Sequence, residues 1–406
     1  MKRHILLLKL CIFILTINTW PALHAVTKSK IPYETAKELG LGWNLGNQLD
    51  AFQDGKAQET VWGNPPVTQK FFYRLAEVGF TSVRIPITWV GHFGEGPEYK
   101  ISDSYMNRVA EVVNYAENAG LNTIINIHHD GVESYFWLDI KNAALNEEAN
   151  DSIKNMIKSI WTQIANRFKD KGDFLIFESM NEIHDGKWGW GANLSDGGRQ
   201  YAILNEWNQV FVDAVRSTGG NNANRFLAIP GYATNIDLTV KHFKLPKDKT
   251  PNRLMVSIHY YDPMDYTMGD IYSEWGHTAS QDMKYKGMDE EYMQEQFKSI
   301  KSTFIDNGIP VYIGEMGCKY REDKRSESFR EYFLEYLCKA AKENGMAPFY
   351  WDNGKDRSCI FDRSNGKLVH NGKRVIKLMK RAVFTDKKSY TPLIPQHYYK
   401  IFFLST

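Results

Sequence analysis

The sequence predicts an α/β protein built as a single (β/α)8 TIM barrel. The first sign is a recurring unit in which an amphipathic helical stretch ends at a glycine and a continuous apolar run follows. It reads AEVGFTSVRIPI (76–87), ENAGLNTIINIHH (117–129), DNGIPVYIGE (306–315) and ENGMAPFYWD (343–352). Gly79, Gly120, Gly308 and Gly345 fit the left-handed position that ends a helix. Runs that are apolar throughout, rather than alternating, are those of buried parallel strands. The second sign is the count. Eight such runs occur, near 40–46, 80–87, 122–129, 174–181, 225–231, 254–261, 310–316 and 347–352. Helical patterns near 67–78, 104–119, 148–168, 199–217, 289–307, 326–344 and 371–384 separate or close them. In the fifth connection (232–253) a helix is doubtful. A doubly wound open sheet would want a glycine-rich phosphate turn after its first strand, and GWNLGN (42–47) is not one.

The chain ends frame this domain. Residues 1–25 carry a basic start (Lys2, Arg3), an apolar run from Ile5 to Ile17 and a polar stretch closing at Ala25. That three-part form predicts a secretory signal peptide, and the run is short for a membrane span. An uncleaved anchor is the competing reading. The protein is therefore expected to be secreted, periplasmic or cell-surface, with no membrane association once mature. Residues 26–384 form the expected catalytic domain. The tail 385–406 has two prolines and no clear period, and it reads as an appendage.

Composition narrows the function. Apolar residues make up 43% of the 406 residues and charged ones 24%, which excludes a disordered chain, a collagen-like fibre or a disulfide mini-scaffold. There are 50 Lys and Arg against 48 Asp and Glu. A near-neutral chain carries no footprint for nucleic acid. Beyond the leader three cysteines remain, Cys318, Cys338 and Cys359. An odd number leaves at least one without an internal partner. No CxxC spacing suggests metal or redox work, so buried filler is the expectation.

In a (β/α)8 barrel the active site lies at the C-terminal ends of the strands. Polar residues close nearly every apolar run: Asn44 and Asn47; Arg84; His128, His129 and Asp130; Asn181 and Glu182; Tyr232; His259 and Tyr261; Glu315; Trp351 and Asp352. Glu182 and Glu315, on the fourth and seventh runs, can face each other across the barrel mouth. Paired carboxylates flanking a bond are what glycoside hydrolysis needs; two structural salt bridges are the bland alternative. Arg84 can hold a carboxylate ionised, and Asn181 can donate to a sugar hydroxyl. His259 and Tyr261 share one strand face, with Tyr261 placed to donate to a nucleophilic carboxylate. Trp351 can floor a sugar ring. Trp62, Trp137, Trp188, Trp190 and Trp275 lie in connections after strands and are candidate stacking platforms, whereas Trp161 and Trp207 on helical stretches read as core.

Two other classes compete. A metal-dependent hydrolase is suggested by His128, His129 and Asp130. Adjacent strand residues point to opposite faces, so at most one of the two histidines faces inward if the strand is regular. No His-x-His pair lies on the first strand and no HExxH occurs. A sugar-binding protein without catalysis is the other, and both carboxylates speak against it.

The ordered set GWNLGNQLDA (42–51), WGNP (62–65), VRIPITW (83–89), INIHHDG (125–131), MNE (180–182), HYYDP (259–263), GEMG (314–317) and WDNG (351–354) resembles the cellulase family of glycoside hydrolases, family 5. The likeness runs from about 40 to 384. It implies a retaining double displacement with Glu182 as acid/base and Glu315 as nucleophile, and no cofactor or metal. By motif position Arg84, His128, Asn181, His259, Tyr261 and Trp351 match active-site residues of the family. His129 and the Asn44/Asn47 pair resemble residues at the innermost sugar site. Retention implies carboxyl groups roughly 5–5.5 Å apart, a raised pKa at Glu182 and an ionised Glu315 near neutral pH. The chain departs from the family pattern at Ile183, where proline often follows the acid/base, at HDGKWGW (184–190), and at Met316, where an aromatic often follows the nucleophile. These departures bear on the substrate. The resemblance implies an endo-acting β-1,4-glucanase on cellulose or related β-glucans, with xyloglucan, mannan or another β-glycan as the alternative. The partner expected is a polysaccharide or oligosaccharide, and the protein is expected to be a monomer.

Overall fold

The computed structural model of the chain describes residues 31–131 and 136–386. Residues 1–30, with the segment 1–25 expected to be a signal peptide, and the tail from 387 lie outside the described residues. Eight parallel strands close into a barrel: β1 (Gly42–Leu45), β2 (Ser82–Ile85), β3 (Asn122–Ile125), β4 (Leu175–Glu178), β5 (Leu227–Pro230), β6 (Leu254–Tyr260), β7 (Val311–Met316) and β8 (Met346–Asp352). Each pairs with its neighbours in sequence, and β1 pairs with β8. The glycines read as helix stops take that role. Gly79, Gly120, Gly308 and Gly345 have φ of 105°, 70°, 80° and 80°.

Helices follow every strand. Most begin at a side chain that accepts a hydrogen bond from an otherwise unpaired backbone N–H, as Ser102, Asn146, Asn235 and Asp323 do. The doubtful fifth connection does contain a helix, Ile236–His242. It spans two turns, too short for a periodic signal, and Asn235 supplies its cap. The long helix after β3 is preceded by an unforeseen short one, Ile140–Leu145. After β1 a small ladder pairs Phe52–Gln53 with Lys56–Ala57.

The barrel interior has two layers of different chemistry. The lower one is apolar: Ile124, Ile176, Ala228, Met255, Tyr312, Ala347 and Phe349 pack together, and Leu39 from the helix over 31–39 plugs them from below. One inward step along each strand brings Asn44, Arg84, Glu178 and Ser257, all fully buried. The period-2 alternation of strands sets this layering, and the upper layer is the floor of the site. Outside the barrel, Trp161 and Trp207 are fully buried core residues, as expected, with Trp161 packed on Phe177 of β4 and Trp207 donating to Asn150. Cys318, Cys338 and Cys359 are buried and unbridged.

Candidate active site

The strands are shorter than the apolar runs. β3 stops at Ile125 and β4 at Glu178, so the polar residues that close those runs sit on irregular backbone above the ladder. The regular strand that would have kept one of the two histidines from facing inward is therefore absent at their positions. With the strand finished, His128 and His129 both turn to the cleft, their ring centroids 4.5 Å apart.

Glu315 reaches the cleft by a different device. On β7 the pairing skips a residue against both neighbours: Ile313 faces Ile258 and Glu315 faces His259, while Ile313 and Met316 face Pro348 and Tyr350. A bulge of this kind re-aims a side chain. Tyr312 and Gly314 point inward by alternation, and the bulge turns Glu315 inward as well. Gly314 has to be small, because a Cβ there would lie 3.0 Å from both His259 Nε2 and Ser257 Oγ.

Around Glu315 the contacts are direct. Arg84 Nη1 donates to Oε1 at 2.7 Å and Tyr261 Oη donates to Oε2 at 3.0 Å. His128 Nε2 lies 3.9 Å from Oε1 and His259 Nδ1 3.8 Å from Oε2. Burial pushes the Glu315 carboxyl above its ordinary range, His259 and Arg84 pull it back, and the Glu182 charge adds to the rise. The Arg84 contact thus favours the ionised form against the cost of burial. Glu182 bonds to His259, Oε1 to Nδ1, at 2.6 Å, with Thr234 Oγ1 3.4 Å away. Thr234 and Ala233 hold positive φ, 50° and 51°, in the loop after β5. That loop is tied to the Glu182 loop by Ala233 N donating to the Ile183 carbonyl. Burial pushes His259 down to about 4, so the ring is neutral at neutral pH. His128 is also pushed well down by burial, and its Nδ1 faces Asn126 Nδ2 at 3.1 Å.

The remaining expected residues divide by access. Asn181 accepts from Arg84 Nη2 at 2.7 Å through Oδ1, which fixes the amide plane. Trp351 lies parallel to His128, rings 5.8 Å apart and 6° from coplanar. Asn47 sits in a left-handed turn, φ 57°, with its N–H on Asp50. Asn44 is fully buried and cannot meet a sugar; it accepts from Arg84 and donates to the Gly314 carbonyl. His129 is partly open to the cleft, edged by Trp62 and Phe52.

Of the proposed platforms, Trp275 is not one. It is 1% exposed and packs on Tyr332, Phe333 and Tyr336. Trp137 is half-buried and donates to Asp130. Trp188 (42% exposed) stacks on His184, and Trp190 is 84% exposed. Both lie in the segment after Glu182 that departs from the family pattern. Two acids were missed. Glu178 lies fully buried on the other side of Arg84. Asp50 is buried, accepts from the N–H groups of Asn47 and Gln48, and is 3.7 Å from His129.

Two trios bring one ligand-type atom each within 4.8 Å of one another: Glu182, His259 and Glu315; and Asp50, His128 and His129. In the first, His259 is bonded to Glu182. In the second, both Asp50 oxygens already accept from the backbone. The first trio also places an oxygen of Glu182 within 4.8 Å of one of Glu315, an approach in keeping with the closely spaced carboxyl groups of a retaining pair, about 5–5.5 Å apart.

Known proteins resemble this chain in sequence and fold. The family model for cellulase (glycosyl hydrolase family 5) matches residues 47–357. Endoglucanase A of Paenibacillus barcinonensis is 39% identical over 353 residues, which is 82% of this chain and 86% of that one. The structure of a GH5-4 broad specificity endoglucanase from Bacteroides salanitronis superposes with a TM-score of 0.86 at 61% identity, covering 87% of this chain and 95% of that one. A glycoside hydrolase 5 lichenase from Caldicellulosiruptor sp. F32, solved with cellotetraose, has a TM-score of 0.76 at 31% identity over 87% of this chain and 95% of that one. With its closed barrel and its facing carboxylates, the chain belongs to glycoside hydrolase family 5, the cellulase family of retaining hydrolases.

Proposed function

We propose that this family 5 endoglucanase cuts internal β-1,4-glucosidic bonds of cellulose-like and related β-glucan chains, with Glu315 as nucleophile and Glu182 as acid/base. The carrying observation is the short approach of these two carboxylates, with Glu315 gripped by Arg84 and Tyr261 and Glu182 by His259. Glu315 attacks the anomeric carbon, and a glycosyl ester forms as the C–O bond to the leaving sugar breaks. Glu182 gives its proton to that oxygen. Glu182 then takes a proton from water, which attacks the same carbon and frees Glu315. Asn181, with its oxygen held by Arg84, offers its N–H groups to a sugar hydroxyl, and Trp351 backs the ring undergoing substitution. Asn47 and His129 flank that position on the β1 and β3 sides. Trp188 and Trp190, exposed on the loop that follows Glu182, are the platforms we assign to the leaving part of the chain. The signal-like segment 1–25 supports export, and the enzyme works as a monomer that needs no cofactor.

The test is a reducing-sugar assay of the chain from residue 26 on carboxymethyl-cellulose, mixed-linkage β-glucan, xyloglucan, mannan and xylan. Activity on a glucan that Glu315→Gln and Glu182→Gln each abolish, with folding intact, is the expected result. Normal turnover in either variant would sink the assignment, and activity on mannan or xylan alone would correct the substrate.

A further inference from the structure

Glu178 has no solvent exposure, and the mechanism above does not use it. Every contact to its carboxylate is a donor. Oε2 accepts from Arg84 Nε at 2.7 Å and Asn126 Nδ2 at 2.9 Å; Oε1 accepts from Tyr312 Oη at 2.6 Å and Ser257 Oγ at 2.7 Å. Four strands, β2, β3, β6 and β7, contribute or immediately precede these donors. A carboxylate that accepts this many hydrogen bonds is held in its charged form. Arg84, also buried, donates to Glu178, Asn44, Asn181 and Glu315. A single guanidinium therefore stands between two buried carboxylates.

We propose that Glu178 is a positioning residue that balances the charge of Arg84, so that the guanidinium orients Glu315 without holding its charge too tightly to react. The inference rests on Glu315 being the nucleophile. Attack on the anomeric carbon turns the Glu315 carboxylate into a neutral ester while positive charge develops on the sugar. Without Glu178, that step leaves Arg84 as an unpaired buried cation beside the sugar cation, an arrangement disfavoured at low dielectric. With Glu178, a neutral Arg84–Glu178 pair remains. The other groups facing Glu315 are Glu182, His128, His259 and Tyr261, and those facing Glu178 are Asn126, Ser257, Tyr312 and, at longer range, His259. None of them is a second permanent cation.

The test is the pH profile of kcat/KM on an aryl β-cellobioside, read with thermal unfolding, for the full enzyme and two variants. Glu178→Gln removes one negative charge near Glu315. The acid limb is expected to move down by roughly one pH unit, with the plateau falling about tenfold. Glu178→Asp keeps the charge, so its limb is expected to stay where it is, whatever its shorter reach does to the rate. A limb unmoved in Glu178→Gln, or moved equally in both, overturns the proposal in favour of a structural brace. Should Glu178→Gln not fold, Asn181→Asp decides. It adds a carboxylate on another edge of Arg84 and is expected to raise the limb; an unmoved or lowered limb overturns the proposal. Full activity in Glu315→Gln would instead mark failure of the nucleophile assignment.

Discussion

The floor of the cleft and its rim are built on opposite terms. The floor is a buried polar layer, Asn44, Arg84, Glu178, Ser257 and the Glu315 carboxylate, in which each charge has a partner. The rim carries Trp188 and Trp190 on a loop with little covering them. Yet that loop is not loose at its base. Asp185 accepts from the N–H groups of Lys187 and Asn193, and Asn193 donates to the Gly189 carbonyl and to Tyr201. Trp188 itself takes a positive φ of 51°, a conformation that bulky residues rarely adopt and that marks a constrained site. The floor fixes bond-breaking geometry by removing freedom from charges; the rim fixes aromatic faces and leaves them to the substrate. Substitutions in the first should therefore damage fold and rate together, and those in the second rate alone.

Arg84→Leu is expected to have the largest effect. It strands two carboxylates in the barrel, and breaking a buried pair costs about 3–5 kcal/mol. Chemical denaturation should show that loss, with no measurable turnover in whatever remains folded. A variant within about 1 kcal/mol of the parent would mean that Glu178 and Glu315 find other donors. Gly314→Ala comes next. Its methyl presses on His259 and Ser257 at the bulge, a shift of a few tenths of an ångström passed on to the residues that hold the two acids, and the rate should fall about tenfold, less than a full 1 Å misplacement would cost. The melting temperature should fall only slightly. Unchanged kcat would show that the bulge has slack.

At the rim the expected effects are smaller and selective. Trp190→Ala should lower kcat/KM on soluble β-glucan by roughly three- to tenfold and leave the melting temperature alone. On an aryl β-cellobioside, which places no sugar on the leaving side, it should change nothing. Equal losses on both substrates would move Trp190 to the other half of the cleft.

The contrast also explains what could be read beforehand. Arg84, Glu182, His259, Tyr261 and Glu315 stood out because each interrupts or closes an apolar run, where an unpartnered polar group is expensive. Glu178 obeys the same rule, three residues before the apolar run 174–181 ends and as the last residue of β4. It was hidden by Glu182, the acid that better fits a strand end; a buried acid on one strand and a buried arginine on another were the signal for their pairing. His128 and His129 could not be placed by alternation, because the regular strand ends at Ile125 and only irregular backbone hydrogen bonds, such as His128 N to the Ile87 carbonyl, continue beyond it. Nothing in VYIGEM announces the bulge, since one extra residue leaves composition and hydropathy untouched. A tryptophan in a connection is equally ambiguous, and Trp275 and Trp190 differ only in whether Tyr332, Phe333 and Tyr336 happen to lie beneath.

The smallest expected effect concerns acid stability and sits where floor meets rim. Burial, opposed by the Gln48 and Asn47 N–H groups, pushes Asp50 up to about 6, and burial pushes His259 down to about 4. Between pH 6.5 and 4 the unfolded chain protonates the histidine and the native protein does not, so His259 makes stability fall on acidification. Between pH 6 and 4 the native protein protonates Asp50 and the unfolded chain does not, so Asp50 makes stability rise over nearly the same window. The two oppose each other. Asp50→Asn removes only the second, and its melting temperature should drop more steeply than the parent's from pH 6.5 to 4, by a few degrees at the acid end. Parallel curves would mean that Asp50 keeps an ordinary proton affinity, with the backbone N–H groups of Asn47 and Gln48 fully offsetting its burial.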